Sequence, residues 1–268
     1  MIDSANVRAD DVYKLASIHY VRAGCSSMWY VRSAICAGIG TCVLILSYFG
    51  IPWFYGRWLR LWLCIRAVRQ KTLVLTFDDG PGSRLTPAVL DILSDYDAKA
   101  TFFLLGGNIV GRESIVKRIY DEGHEICSHG YDHINHWKAL PGRTLADIEK
   151  GWQAINRAMG RNDCAYPFRP PYGKLNLISL LYLWIHRVPI YYWTLVSSDT
   201  WPAGKRDSQR IAILAGKAGG GVSLAHDFDR LDESVDDLVL KSLRAALIMA
   251  EQSGMRVRTI GELLSEKT

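Results

Sequence analysis

The residues most able to do chemistry begin at TFDDGP, residues 76–81, where two adjacent acids close a β-branched and apolar run. Gly80, Pro81 and Gly82 stop that run, so Asp78 and Asp79 are expected at the C-terminal end of a strand that opens into a tight loop. Successive strand residues point in opposite directions, which lets the two acids serve different partners. An acid pair at a strand end also reads as an ordinary turn cap. Further along, SHGYDH puts His129 and His133 four residues apart. On a helix, or on a loop that makes one turn, both imidazoles project the same way. They can then grip a divalent cation, with a carboxylate such as Asp79 as third ligand. His124 reads as structural.

Three more groups have suitable chemistry. FRPPYG sets Arg169 between an aromatic residue and two prolines. Such a rigid position suits an ion pair with a carboxylate, and the restricted path can fix the amide of Tyr172 as an oxyanion donor. The same residues also spell a stiff structural turn. His226, in SLAHDF, leaves a strand-like run beside Asp227, either as a proton donor or as a surface hydrogen-bonding residue. Asp199, near Trp201, ends another strand-like segment and can orient and acidify an imidazole.

The elements that must position these groups follow from apolar spacing. From Lys71 onward, strands are expected at 72–77, 100–105, 125–127, 188–193, 222–224 and 255–259. Helices are expected at 87–96, 113–122, from Thr144, and at 177–185, 207–217 and 235–249. Thr144 followed by Asp147 resembles a capping box. Alternation of this kind argues for β/α architecture, and the polar clusters fall just after strands, where such folds carry their sites.

Ahead of that region the chain is different. Residues 1–32 form a polar segment that carries no evident chemistry, and no charged residue occurs from Ser33 to Gly56. A membrane crossing takes about 20 apolar residues, so 33–56 is expected to be a transmembrane helix and a single N-terminal anchor. Its start deep in the chain, its length and the lack of a small-residue cleavage site argue against a signal peptide. A buried helix of a soluble protein is the alternative. Residues 57–70, RWLRLWLCIRAVRQ, interleave Arg57, Arg60, Arg66 and Arg69 with tryptophan and leucine. They suit a juxtamembrane helix on an anionic surface, or the first helix of the domain that occupies 71–268. Basic residues are somewhat denser on this side of the apolar run, which by the positive-inside tendency favours a cytoplasmic domain by a small margin and leaves the side of the membrane open.

The chain has 268 residues, a formal net charge of +5 and six cysteines. The domain after the apolar run is long enough for one complete core. No Lys/Arg-rich run with interleaved aromatics marks a nucleic-acid groove, so no nucleic-acid partner is expected. Of the cysteines, only Cys127 and Cys164 fall in the expected catalytic domain, and buried free thiols are the simpler reading than a bridge between them.

Taken together, TFDDGP at 76–81, HGYDH at 129–133, RPPY at 169–172 and LAH at 224–226 resemble the five-motif polysaccharide deacetylases. These are the chitin-deacetylase and nodulation-type carbohydrate esterases. The resemblance runs from about Lys71 to Ile260 and implies a distorted (β/α)7 barrel with an open groove. It implies Asp78 as general base, Asp79, His129 and His133 as metal ligands, Arg169 as the partner that keeps the base ionised, and the Tyr172 amide as oxyanion donor. His226 matches the general acid, and Leu224 a wall of the acetyl pocket. The fourth motif departs, because VSSDTW stands where the family has Asp-x-x-Asp-Trp. Asp199 as orienter of His226 and Trp201 as pocket wall are carried over on that altered motif. The implied reaction is metal-dependent hydrolysis of the N-acetyl amide of an amino sugar. Zinc is the expected metal, with cobalt, nickel or manganese as alternatives. The expected partners are the membrane and an N-acetylated glycan or lipid-linked amino sugar. A non-catalytic carbohydrate-binding protein that keeps the fold is the competing reading.

Overall fold

The computed structural model describes residues 28–266, and the chain divides into two units, Met1–Tyr48 and Phe49–Thr268. The expected polar segment 1–32 falls outside the described residues up to residue 27. In the first unit, residues 28–45 are helical and solvent-exposed. Among the described residues one helix, Met28–Arg69, is long and apolar enough to cross a membrane, by length and composition alone.

The second unit opens with the helix Ile51–Arg69, which buries Pro52, Gly56, Leu59, Leu63 and Ala67 on one face. Burial every three to four residues is what a helix packed along one stripe requires. The last part of the apolar run, 51–56, therefore belongs to the same helix as the basic and aromatic segment. Seven short strands follow: β1 (Thr72–Val74), β2 (Thr76–Asp78), β3 (Thr101–Leu104), β4 (Glu125–Ser128), β5 (Leu195–Val196), β6 (Gly221–His226) and β7 (Arg256–Arg258). Every ladder is parallel, in the order β4-β3-β2-β6-β1-β7, with β5 also on β6. β1 and β2 form one line interrupted at Leu75, and β6 pairs with both at the same offset. On the far side of β4, Phe168 bridges Ser128 and Ile190, which carries the sheet round toward β5. This is the distorted (β/α)7 barrel that the motif pattern implies. The core is a continuous cluster of Leu, Ile, Val and Phe, including Phe77 stacked on Phe102 at 5.2 Å, because helices cover the parallel strands.

Three local expectations are corrected. The segment 188–193 is not a regular strand: Pro189 offers no N–H, and only Ile190 forms a bridge before β5 begins at Leu195. Thr144 does not begin its helix, which runs Pro141–Met159 with Leu140 at the N-cap. Its hydroxyl donates to the Pro141 carbonyl, and Asp147 is used elsewhere. Cys127 and Cys164 are both free, but only Cys127 is buried and Cys164 is exposed.

Candidate metal centre and catalytic groove

Parallel pairing brings the first acid and the last histidine together. Asp78 ends β2, His226 ends β6, and the two are register partners across the ladder. Strands lie about 4.8 Å apart and paired residues present their side chains to the same side. Two groups far apart in the chain thus become neighbours at the C-terminal mouth of the barrel. Leu224, two residues before His226 on β6, shares its face and is buried. The chain then leaves β2 through Gly80, where an added Cβ would collide with the Asp227 carboxylate.

Asp79, His129 and His133 each offer a ligand atom within 4.8 Å of the others. His129 Nε2 is 3.6 Å and His133 Nε2 3.4 Å from Asp79 Oδ1. His129 Nδ1 lies 2.7 Å from the Arg169 carbonyl oxygen, an acceptor only, so Nδ1 carries the proton and Nε2 keeps its lone pair. Burial holds the His129 pKa down to about 3, which keeps the ring neutral as a ligand must be. Asp79 Oδ1 is buried and has no hydrogen-bond partner among the described residues. An orphaned carboxylate oxygen facing two imidazole nitrogens is the donor set that suits a divalent cation. The loop that carries His133 is pinned by Asp147, whose Oδ1 accepts from the Asp132 amide at 2.8 Å. Sequence spacing could not have found this role, because the same residue reads as a helix cap.

Beside this group lies a buried ion pair. Arg169 Nη1 donates to Asp78 Oδ1 at 2.6 Å and to Thr76 Oγ1 at 2.7 Å, and Nη2 donates to the Tyr192 carbonyl at 3.2 Å. Its guanidinium lies 3.7 Å from the centre of the Phe103 ring. Arg169 is 0% exposed and Asp78 2%. Burial raises the Asp78 pKa above the usual carboxylate range, and Arg169 pulls against it. Arg169 favours the ionised form of Asp78, the direction the motif resemblance implies, against a larger opposing influence of desolvation. Removing one partner of such a pair costs about 3–5 kcal/mol, because the other charge is left buried.

On the other side, His226 Nδ1 donates to Asp199 Oδ2 at 2.9 Å. The same oxygen accepts from the His226 amide at 3.1 Å and from Arg230 Nη2 at 3.0 Å, while Ser197 Oγ donates to Asp199 Oδ1. Burial raises the Asp199 pKa, but the bonds and charges of His226, Ser197 and Arg230 outweigh it and hold it down to about 2. For His226, burial lowers the pKa, and Asp199, Asp78 and Asp79 together outweigh it, leaving it raised. The altered fourth motif thus still delivers a carboxylate to the imidazole. Arg230 was not among the residues singled out by sequence, since a lone arginine in a polar loop carries no signal.

The remaining expected residues take different positions. Tyr172 has φ 58°, its ring stands 4.5 Å from that of His133, and its amide meets no acceptor among the described residues. An N–H without an acceptor at that place is free to serve an incoming oxyanion. Trp201 is half-buried, with the Arg210 guanidinium 4.3 Å from its ring centre. His124 is buried and accepts from the Ala100 amide at 3.2 Å, a structural role.

Comparison with known proteins points to one family. The polysaccharide deacetylase family model matches residues 66–183. The chain is 33% identical over 202 residues to the peptidoglycan-N-acetylglucosamine deacetylase PgdA of Listeria monocytogenes, covering 75% of this chain and 41% of that one. It therefore spans less than half the length of that relative. It is 30% identical to the chitooligosaccharide deacetylase of Rhizobium leguminosarum bv. phaseoli, with 69% of this chain and 80% of the relative covered. Among solved structures, the Bc1960 peptidoglycan N-acetylglucosamine deacetylase superposes with a TM-score of 0.59 at 30% identity, over 72% of this chain and 88% of that one. With the barrel, the ordered motifs and these likenesses in hand, the chain belongs to the polysaccharide deacetylase family.

Proposed function

We propose that the chain hydrolyses the N-acetyl amide of an amino sugar in a glycan, releasing acetate and a free amine. One observation carries this reading. The candidate ligand group Asp79, His129 and His133 shares the mouth of the barrel with two supported groups, Asp78 with Arg169 and His226 with Asp199, on neighbouring strand ends. A divalent ion, zinc by preference from the two-imidazole, one-carboxylate donor set, would supply Lewis-acid polarisation of the amide carbonyl. Cobalt, nickel and manganese are alternatives.

The chain's own residues do the rest. Asp78 takes the proton of the attacking water, and its raised pKa brings it nearer to the pH at which it works. Arg169 fixes the orientation of that carboxylate through Nη1. The Tyr172 amide donates to the oxyanion that develops on the former carbonyl. His226, protonated through its bond to Asp199, gives its proton to the departing nitrogen. Leu224 and Trp201 wall the acyl pocket in this reading. A binding role alone needs neither a ligand triad nor a proton donor, which speaks against a non-catalytic protein that merely keeps the fold.

The substrates that suit this reading are N-acetylated glycans of the chitin or peptidoglycan kind and lipid-linked amino sugars. The apolar helix supports a single N-terminal membrane anchor ahead of a catalytic domain that occupies 71–268, with 57–70 at the membrane side. The test is acetate and free-amine release from chitooligosaccharides and peptidoglycan fragments by the purified chain, before and after chelation and after re-addition of zinc. Loss on chelation and return with zinc are expected. A metal-loaded protein that releases neither product from a broad panel of acylated sugars would instead favour the binding role.

A further inference from the structure

A second cation beside the groove has no acid or hydrogen-bond acceptor among the described residues. Arg60, on the helix Ile51–Arg69, forms no hydrogen bond or ion pair among the described residues, and its Nε is buried and unsatisfied. Its guanidinium stacks on Tyr192 at 4.9 Å and on Trp193 at 4.6 Å to the ring centres. A guanidinium held over two aromatic rings is restrained in position, and its Nη donors meet no acceptor among the described residues. The contrast with Arg169 is plain, since that residue also lies over Trp193 yet spends its donors on Asp78, Thr76 and Tyr192.

The helix direction brings Arg60 to the catalytic end. Its C-terminal part lies at the start of β6, where Gly220 abuts the Ala67 carbonyl, so its N-terminal half lies by the loops that follow the strands. There Gly173 stands so close that an added Cβ would be 2.5 Å from Arg60 Nη2. Gly173 directly follows Tyr172, whose ring packs on His133. The cleft at this point is lined by Trp53, Gly56, Arg57, Arg60, Trp137 and Gly173, among others, and no carboxylate lines it. Lys174 adds a third positive charge, its Nζ 5.0 Å from the centre of the Trp137 ring.

We infer that Arg60, supported by Arg57 and Lys174, forms an anion subsite that receives an oxyanion carried on the acylated sugar. Three cations with no acid among them match a phosphate ester best, and the lactyl carboxylate of a muramyl sugar shares the chemistry. Arg60 is then a specificity-determining residue. The inference rests on the deacetylase reading for its substrate, but anion binding can be measured without turnover.

The test has two arms. In the first, the purified chain in detergent is titrated with pyrophosphate while tryptophan fluorescence is followed, since Trp53 and Trp137 line the cleft and Trp193 stacks on Arg60. A saturable response is expected, roughly tenfold weaker or more in Arg60→Gln, the loss of a charge-assisted bond. In the second, kcat/KM is compared for N-acetylglucosamine 1-phosphate, N-acetylmuramic acid and neutral N-acetylglucosamine. The wild type should prefer an anionic sugar, and Arg60→Gln should erase that preference through KM rather than kcat. Preference for the phosphate or for the carboxylate identifies the source of the oxyanion. Arg60→Lys, which keeps the charge without the fork, should fall between and serves if the glutamine variant does not fold. Absence of a saturable response, or equal binding and equal preference in the variants, overturns the subsite. A wild type that binds pyrophosphate yet hydrolyses none of the sugars would count against the deacetylase reading and leave the subsite standing.

Discussion

His129 donates its Nδ1 proton to the carbonyl oxygen of Arg169 over 2.7 Å, while the side chain of that same arginine holds Asp78 at 2.6 Å. One residue therefore orients a metal-ligand candidate with its backbone and a base candidate with its side chain. The two adjacent acids are divided between these two supports: Asp79 faces the imidazoles, and Asp78 faces the guanidinium.

That division predicts separable losses. Asp78→Asn keeps the size of the side chain and leaves Asp79, His129 and His133 in place. Turnover should fall by roughly 10²–10⁴-fold, the usual worth of a positioned base, with bound metal retained at wild-type stoichiometry. Asp79→Asn should lose the metal. Elemental analysis of both folded variants, alongside acetate release, checks the assignment, and an Asp78→Asn protein without metal would sink it.

The His226–Asp199 bond predicts a shift in the pH profile. Protonated His226 is the working form, so activity falls on the alkaline side as pH rises through its raised pKa. In Asp199→Asn the principal raising influence is gone, and burial, which lowers the pKa, is opposed only by Asp78 and Asp79. The alkaline limb of kcat/KM should move to lower pH. A profile that loses height but keeps its limb would mean that Asp199 does not set the proton affinity of His226.

Asp147 should matter for metal affinity although it touches no ligand atom. Its Oδ1 holds the Asp132 amide, one residue before His133. Asp147→Ala should weaken zinc binding by about 10–100-fold, the range seen when a supporting partner is removed. Competition titration with a chelating dye reads this directly. Unchanged affinity in a folded variant would reduce Asp147 to a packing residue.

Buried histidines predict how stability depends on pH. His136 is fully buried against Phe168, and neither ring nitrogen has a hydrogen-bond partner among the described residues. Burial lowers its pKa from 6.5 to about 4. The stability this contributes is complete above the unfolded value, and it declines as pH falls from 6.5 toward about 4, where the unfolded chain binds a proton that the folded one refuses. His124 behaves alike, with burial the largest cause. His136→Phe keeps a ring against Phe168 and removes the unpaired nitrogens, so urea midpoints should depend less on pH across this interval. An equal slope in the variant would contradict the assignment.

Much of this was legible in the chain itself. Glycine and proline after a β-branched run end a strand wherever they occur, so Asp78 and Asp79 could be seen at a strand end. Histidines four apart, an arginine before two prolines and alternating strand and helix patterns are likewise local. Apolar spacing located nearly every helix to within a few residues. What the sequence could not express was who meets whom. Asp78 and His226 become neighbours only through the parallel β2–β6 register, and Arg169 reaches both Asp78 and His129 only because the barrel brings three loops together. Asp79, His133 and Tyr172 all take positive φ, at 69°, 55° and 58°, a conformation that side-chain identity disfavours and only surrounding contacts enforce. Arg230 carries no local signal, and the local signals of Asp147 and Arg60 point elsewhere, to a helix cap and to a basic juxtamembrane segment. Their roles arise from long-range contacts, and such contacts leave no period or spacing in the sequence to read.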